Sequence, residues 1–323
     1  MRPAPTPNVL STAEPARVDD VLCNVLTASK ADTDKEVTGR MDWRFLGVKL
    51  ISAGSAVVDL SPESVTLFAI PAVLSAAFLA IAAHLGAFSF PLAALILVYT
   101  FLPMAVAYLA RLAPPPTWLD FVIIALLWFP LEFSLGYQWI PKPAQSTLHL
   151  TAYAVAILLA LSIFLLYRRL SGMKINLPRS WRDLVNLLLG FVACAPVLIA
   201  LGRAIGFLPP FHWPAQPSAA RIGTEYLIIL AITALPEEIL FRGLIQNCIA
   251  QRFGPSTTTL LISAFIFGCA HLDNGPGPLP NWRYMILATI AGVAYGKVFE
   301  KSSSIFASAG LHALVDTVKH ACF

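Results

Sequence analysis

Apolar runs, each close to the length of a membrane-crossing helix, repeat along the chain from about residue 64 to its end. They cover residues 64–84, 87–110, 117–135, 148–167, 183–206, 222–250, 257–272, 283–300 and 303–321. A helix that crosses the hydrocarbon needs roughly 20 apolar residues, and most of these runs reach that length. The intervals between them hold helix breakers: Pro114-Pro115-Pro116, Pro141 to Pro143, Pro209-Pro210, Gly254-Pro255 and Gly275 to Pro280. Trp118, Trp139, Trp181, Trp213 and Trp282 fall near the ends of runs, where interfacial aromatic belts sit. The pattern predicts an all-α, polytopic transmembrane helix bundle of about eight to nine helices.

Composition sharpens that expectation. Hydrophobic residues make up 57% of the chain and charged residues 12%, with a mean hydropathy of +0.72. Soluble domains carry about 25% charged residues, so too little polar surface is available here to cover a globule. The net charge of +4 comes from basic residues scattered among loops, which argues against a nucleic-acid partner. Five cysteines lie at Cys23, Cys194, Cys248, Cys269 and Cys322 with no CxxC pair, so neither a disulfide framework nor a zinc finger is expected. Residues 1–45 are mixed in polarity, carry no apolar signal-like core, and read as a disordered or loosely folded cytoplasmic tail. Residues 46–215 then form N-terminal transmembrane helices and residues 216–323 the part that holds the candidate chemistry. Arg168, Arg169, Lys174, Arg179 and Arg182 make the loop after the fourth run the most basic, which places it and the N-terminus in the cytoplasm of a cell with this protein in its inner membrane.

Ionisable residues inside apolar helices cost roughly 2.5–3.5 kcal/mol each at the helix centre, so they are paired or functional. Two carboxylates and an arginine interrupt the sixth run, at Glu237, Glu238 and Arg242. Glu238 and Arg242 stand at i, i+4 and can pair on one face. Glu237 is turned about 100° from Glu238, which leaves it without that partner and free to act as a base. Burial and neighbouring cations would compete to set its protonation. Glu237 lies 17 residues before Gly254, and His271 lies 16 residues after Pro255. A hairpin turning at Gly254-Pro255 therefore brings the two to one depth. On the last run His312 and Asp316 again share a face at i, i+4. His84, His149 and His212 read as interfacial residues, and Asp120, Glu132 and Glu225 as solvated residues at loop edges.

Glu237-Glu238-x-x-x-Arg242, Phe267-x-x-x-His271 and His312-x-x-x-Asp316, in that order on three apolar runs, resemble the motifs of the CPBP family. These are the CAAX-protease, Abi and bacteriocin-processing intramembrane endopeptidases, and the likeness spans residues 220–323. It implies that Glu237 and His271 activate a water for attack on a peptide carbonyl, and that His312 and Asp316 stabilise the oxyanion. Glu238 and Arg242 are then a structural ion pair. Family members commonly carry asparagine where Asp316 stands. An ionised aspartate cannot donate to an oxyanion, so Asp316 is either protonated or orients His312. The family is often labelled a metalloprotease, and Glu237, His271 and His312 are a donor set that a divalent metal such as zinc can use. The HExxH helix of common zinc proteases is absent, and the expectation is a metal-free glutamate base with no cofactor.

The implied partners are the lipid bilayer and a membrane-anchored protein or peptide substrate. Two other classes fit less well. A transporter also buries charge at mid-depth, but the paired repeats such proteins show are not visible here. A non-catalytic immunity or scaffold protein would keep the motifs without turnover.

Overall fold

The computed structural model describes residues 62–213, 218–275 and 278–323, all within one compact unit. The tail expected over residues 1–45 lies outside the described residues. Among those residues the fold is all-helical, with nine helices and no strand.

The helices are α1 (Pro62–His84), α2 (Phe90–Ala110), α3 (Trp118–Glu132), α4 (Lys142–Tyr167), α5 (Trp181–Ala204), α6 (219–253), α7 (Thr257–Cys269), α8 (Trp282–Lys301) and α9 (Ile305–Cys322). Their starts follow local chemistry. Ser89, Ser180, Ser256 and Ser304 each accept a backbone N–H from the first turn of the helix that follows. Gly254 adopts φ +87, a backbone conformation that suits glycine, and turns the chain from α6 into α7 where the Gly-Pro pair predicted it.

Leu67–His84 within α1, together with α2, α4 and α5, are long and apolar enough to cross a membrane. They leave large apolar side chains exposed, among them Val73, Leu109, Leu166, Leu189 and Val192, as lipid-facing helices do. The chain is thus an integral membrane protein. Two runs differ from expectation. α4 begins at Lys142, ahead of residue 148, because Pro141 and Pro143 fit a first helical turn. α7 stops at Cys269 with 13 residues, about 20 Å at 1.5 Å per residue, too short to span the hydrocarbon.

All nine helices contribute to one core that includes Leu67, Ile123, Phe164, Leu244, Phe267, Tyr295 and Leu311. α1, α2 and α4 enclose a second, around Phe78, Ile96 and Leu148. α7 and α8 approach closely because small residues line their contact: a Cβ on Gly292 would sit 3.2 Å from Ala264 Cα.

Asp120 is no solvated loop-edge residue. It is fully buried, caps α3 through the Thr117 amide, and binds the Arg168 guanidinium at 2.7 and 2.8 Å. Arg168 also donates to the Ala110 and Ala113 carbonyls, joining the ends of α2, α3 and α4. Lys174 does similar work at the end of α8, donating to the carbonyls of Phe299, Glu300 and Ser302.

Candidate active site

The acidic pair sits where α6 departs from regular geometry. Two π-helical stretches, Leu230–Ala234 and Ile239–Gln246, flank the short α-helical segment Leu235–Glu238. Pro236 has no amide proton to give the preceding turn, and the widened ladder just before it accommodates that loss. Such widened turns recur at functional sites. They rotate side chains away from ideal α-helical positions, so the facing of the two glutamates is set by tertiary packing as much as by spacing.

Glu238 is fully buried, and its Oε1 lies 2.9 Å from Arg242 Nη1. The arginine is also buried. Its Nη2 donates to the Gly292 carbonyl at 3.3 Å, and its guanidinium lies 4.3 Å from the Phe267 ring centre. Glu238 has a second partner the sequence did not reveal: the same oxygen accepts from His312 Nδ1 at 3.2 Å. It is therefore both the arginine's counter-ion and the group that orients the imidazole from α9.

The other face of that imidazole meets the remaining carboxylates. His312 Nε2 is 3.5 Å from Asp316 Oδ2 and 3.8 Å from Glu237 Oε2. Both ring nitrogens thus face carboxylate oxygens, so both are placed to donate. The 3.8 Å gap to Glu237 is too long for a hydrogen bond, and short enough for one oxygen atom to touch both groups. Glu237 Oε2 has no hydrogen-bond partner among the described residues, while its side chain keeps 26% of its surface exposed. The carboxylate therefore turns a buried oxygen towards the imidazole and exposes the rest of its side chain to the cavity it lines.

His271 lies just past the end of α7, in a turn closed by its own amide on the Gly268 carbonyl. Its Nδ1 is 2.8 Å from the Phe267 carbonyl, which can only accept. The proton is therefore on Nδ1, and in the neutral ring Nε2 is free to accept. Two cavities meet at this residue. One, of ≈ 90 Å³, runs between Glu237, Trp128, Glu132, Tyr153 and Leu240. The other, of ≈ 80 Å³, takes in His312, Asp316, Tyr284 and Lys319. Most of the walls of both are apolar side chains. Two apolar-walled cavities thus adjoin here, with His271 common to both, Glu237 in one and His312 in the other.

Aromatic rings fix this junction. Phe267 lies edge-on to His271 and to His312, with centroids 4.7 and 5.7 Å apart. Tyr295 stacks on His312 at 4.6 Å and 21°. Tyr284 meets His271 edge-on at 4.6 Å. Asn281 holds the loop after His271, donating to the Asn274 carbonyl and capping α8 through the Tyr284 amide. The sequence did not mark Tyr284, Tyr295 or Asn281 as a site residue, and Phe267 entered only as the first position of the motif that ends at His271. Glu132 also differs from its reading as a loop-edge residue, since it lines the cavity beside Glu237 and accepts from Trp128 Nε1 at 2.8 Å. Its i, i+4 spacing from Trp128 was the available signal. Glu225 does lie at a partly exposed position, 3.6 Å from His320.

Among the described residues, no group of three or more histidine, cysteine, aspartate or glutamate side chains is arranged to hold a metal ion. His312 Nδ1 faces Glu238 and His271 Nδ1 a backbone carbonyl, which leaves Nε2 of each ring directed elsewhere.

Fold and site together define a polytopic helical membrane protein with a carboxylate–histidine centre on its last four helices. Residues 221–318 match the Rce1-like family, described as type II CAAX prenyl endopeptidase Rce1-like. This segment holds Glu237, Glu238, Arg242, His271, His312 and Asp316, and the match supports a CPBP-family intramembrane protease. No curated protein and no solved structure matches the chain.

Proposed function

We propose that the chain is an intramembrane endopeptidase that hydrolyses a peptide bond of a membrane-associated protein or peptide without a metal. Glu237 takes the proton from an attacking water. His312, aligned by Glu238 and Asp316, donates from Nε2 to the developing oxyanion. Asp316 orients the imidazole and donates no hydrogen bond itself. His271, with Nε2 free to accept, relays the proton towards the leaving amine. The observation that carries this reading is the buried, hydrogen-bond-free Oε2 of Glu237, 3.8 Å from His312 Nε2 on a side chain that is otherwise 26% exposed.

The family description points to a prenylated C-terminal peptide, and the apolar walls of the cavity beside Glu237 suit a lipid-modified residue. The basic loop containing Arg169, Arg179 and Arg182 supports a cytoplasmic N-terminus and residence in the inner membrane. The test is cleavage of a membrane-anchored peptide by purified protein in liposomes. A positioned general base contributes about 10²–10⁴-fold, so Glu237→Gln should lose that much rate while retaining wild-type helix content. Wild-type cleavage by Glu237→Gln would refute the mechanism, and ion flux abolished by the same change would favour a transporter.

A further inference from the structure

The helix ends gather into two opposite layers, and side-chain contacts tie together the ends that share a layer. In the first, Arg168 past the end of α4 binds Asp120 at the start of α3 and the Ala110 carbonyl at the end of α2. Gln251 near the end of α6 donates to the Ser171 carbonyl, and Ser303, between α8 and α9, donates to Asp183 at the start of α5. In the second layer, Arg283 at the start of α8 donates to the Gly206 carbonyl past the end of α5. His212 donates its amide to the Cys322 carbonyl at the end of α9, and His320 lies 3.6 Å from Glu225 near the start of α6.

Basic residues distinguish the layers. Among the described residues the first holds Arg111, Arg252, Lys297 and Lys301 besides the five of the loop after α4, nine in all. The second holds five: Lys142, Arg203, Arg221, Arg283 and Lys319. An excess of Lys and Arg marks the cytoplasmic ends of membrane helices, which supports the first layer as the cytoplasmic one.

Both cavities that meet at His271 reach the second layer. The one beside Glu237 extends to Glu132, the last residue of α3, and to Asn274 in the loop after α7. The one beside His312 extends to Leu208 past the end of α5 and to Phe323 past the end of α9. Towards the first layer they go no further than Ile124, six residues from Trp118 at the start of α3, and Tyr295, six residues from Lys301 at the end of α8. Six residues are about 9 Å of helix at 1.5 Å per residue. The buried Asp120–Arg168 pair and the three carbonyl contacts of Lys174 occupy the first layer.

Peptide hydrolysis needs water, and within the hydrocarbon water is met only in cavities lined by protein. Water and substrate therefore approach Glu237 from the second layer. We propose that the candidate active site opens to the non-cytoplasmic side of the membrane, and that its substrate is a membrane-anchored protein or peptide whose scissile bond stands on that side. The inference rests on the peptidase reading for its choice of a peptide substrate. A lipid-modified peptide qualifies only where its cleavable segment stands on the non-cytoplasmic side.

The test reads access separately from cleavage, on the full chain in sealed membrane vesicles of right-side-out or inverted orientation. For access, Asn274→Cys at the rim of the cavity beside Glu237 and Arg179→Cys in the basic loop are each placed in a chain whose native cysteines are alanine. A membrane-impermeant maleimide should label Asn274→Cys only in right-side-out vesicles and Arg179→Cys only in inverted ones. Labelling of Asn274→Cys in inverted vesicles, alone or as well, overturns the proposal. For cleavage, the wild-type chain is given dipalmitoylated peptides of mixed sequence, inserted from outside so that the cleavable segment stays there. Cleavage is expected in right-side-out vesicles and its loss in inverted ones, with recovery when detergent opens the inverted vesicles. Cleavage by sealed inverted vesicles overturns the proposal without any engineered cysteine. Labelling as expected, with no cleavage in either orientation even in detergent, supports the direction of opening while refuting the peptidase reading.

Discussion

Replacing Arg242 by alanine removes the counter-ion of a carboxylate that is fully buried. Glu238 Oε1 stands 2.9 Å from Arg242 Nη1, with side-chain exposures of 0% and 2%. At an effective dielectric of about 20 the Coulomb attraction at that distance is about 6 kcal/mol. Much of it only offsets the desolvation of the two groups. Deleting one partner leaves the other charge buried and uncompensated, a loss of about 3–5 kcal/mol. Arg242→Ala should destabilise the protein by that amount in SDS titration from mixed micelles. Arg242→Lys keeps the charge but gives up the donor to Gly292 and the guanidinium's cation–π contact with Phe267, and should cost less, about 1–2 kcal/mol. Combining Arg242→Ala with Glu238→Gln should recover about 2 kcal/mol relative to the sum of the single changes, because the stranded charge is gone. Peptide cleavage should stay low in that double variant, since Glu238 also orients His312. A loss below about 1 kcal/mol for Arg242→Ala, or strict additivity in the double variant, would mean that the pair is not a buried ion pair of this kind.

Two further outcomes follow from particular contacts. A Cβ at Gly268 would lie 1.9 Å from Thr289 Oγ1 and 2.7 Å from the Met285 carbonyl oxygen, a backbone atom that cannot swing aside. Gly268→Ala should force α7 from α8, lose about 1–3 kcal/mol in the same titration, and lower cleavage by displacing His271; unchanged stability and activity would contradict that packing. Asp316→Asn keeps a polar group against His312 and adds an amide donor, so kcat should stay within about tenfold of wild type, whereas Asp316→Ala should fall about a hundredfold; equal losses for both would remove the orienting role.

What the sequence carries is what helix periodicity and composition encode. The apolar runs mark nine helices, Gly254-Pro255 marks the turn, and i, i+4 spacing marks Glu238 with Arg242 and His312 with Asp316. What it hides is long-range. Asp120 and Arg168 stand 48 residues apart, and only the packing of α3 against the end of α4 joins them. Glu238 and His312 are 74 residues apart, so spacing along α6 shows one of the glutamate's two partners. Ideal helix geometry also fails locally, because the π-helical stretches on both sides of Glu237 alter the angle per residue on which its facing was reckoned. α7 reads as a full apolar run because residues 270–272 continue its composition, although the helix itself ends at Cys269.

In the proposed mechanism Glu237 deprotonates water and does not itself attack the peptide. Its most direct test is a single turnover in H₂¹⁸O with enzyme in excess over a membrane-anchored peptide, followed by mass spectrometry of product and enzyme. One ¹⁸O is expected in the new product carboxylate and none in the peptide containing Glu237. An unlabelled first product with ¹⁸O in the Glu237 side chain, or no cleavage under these conditions, would contradict it.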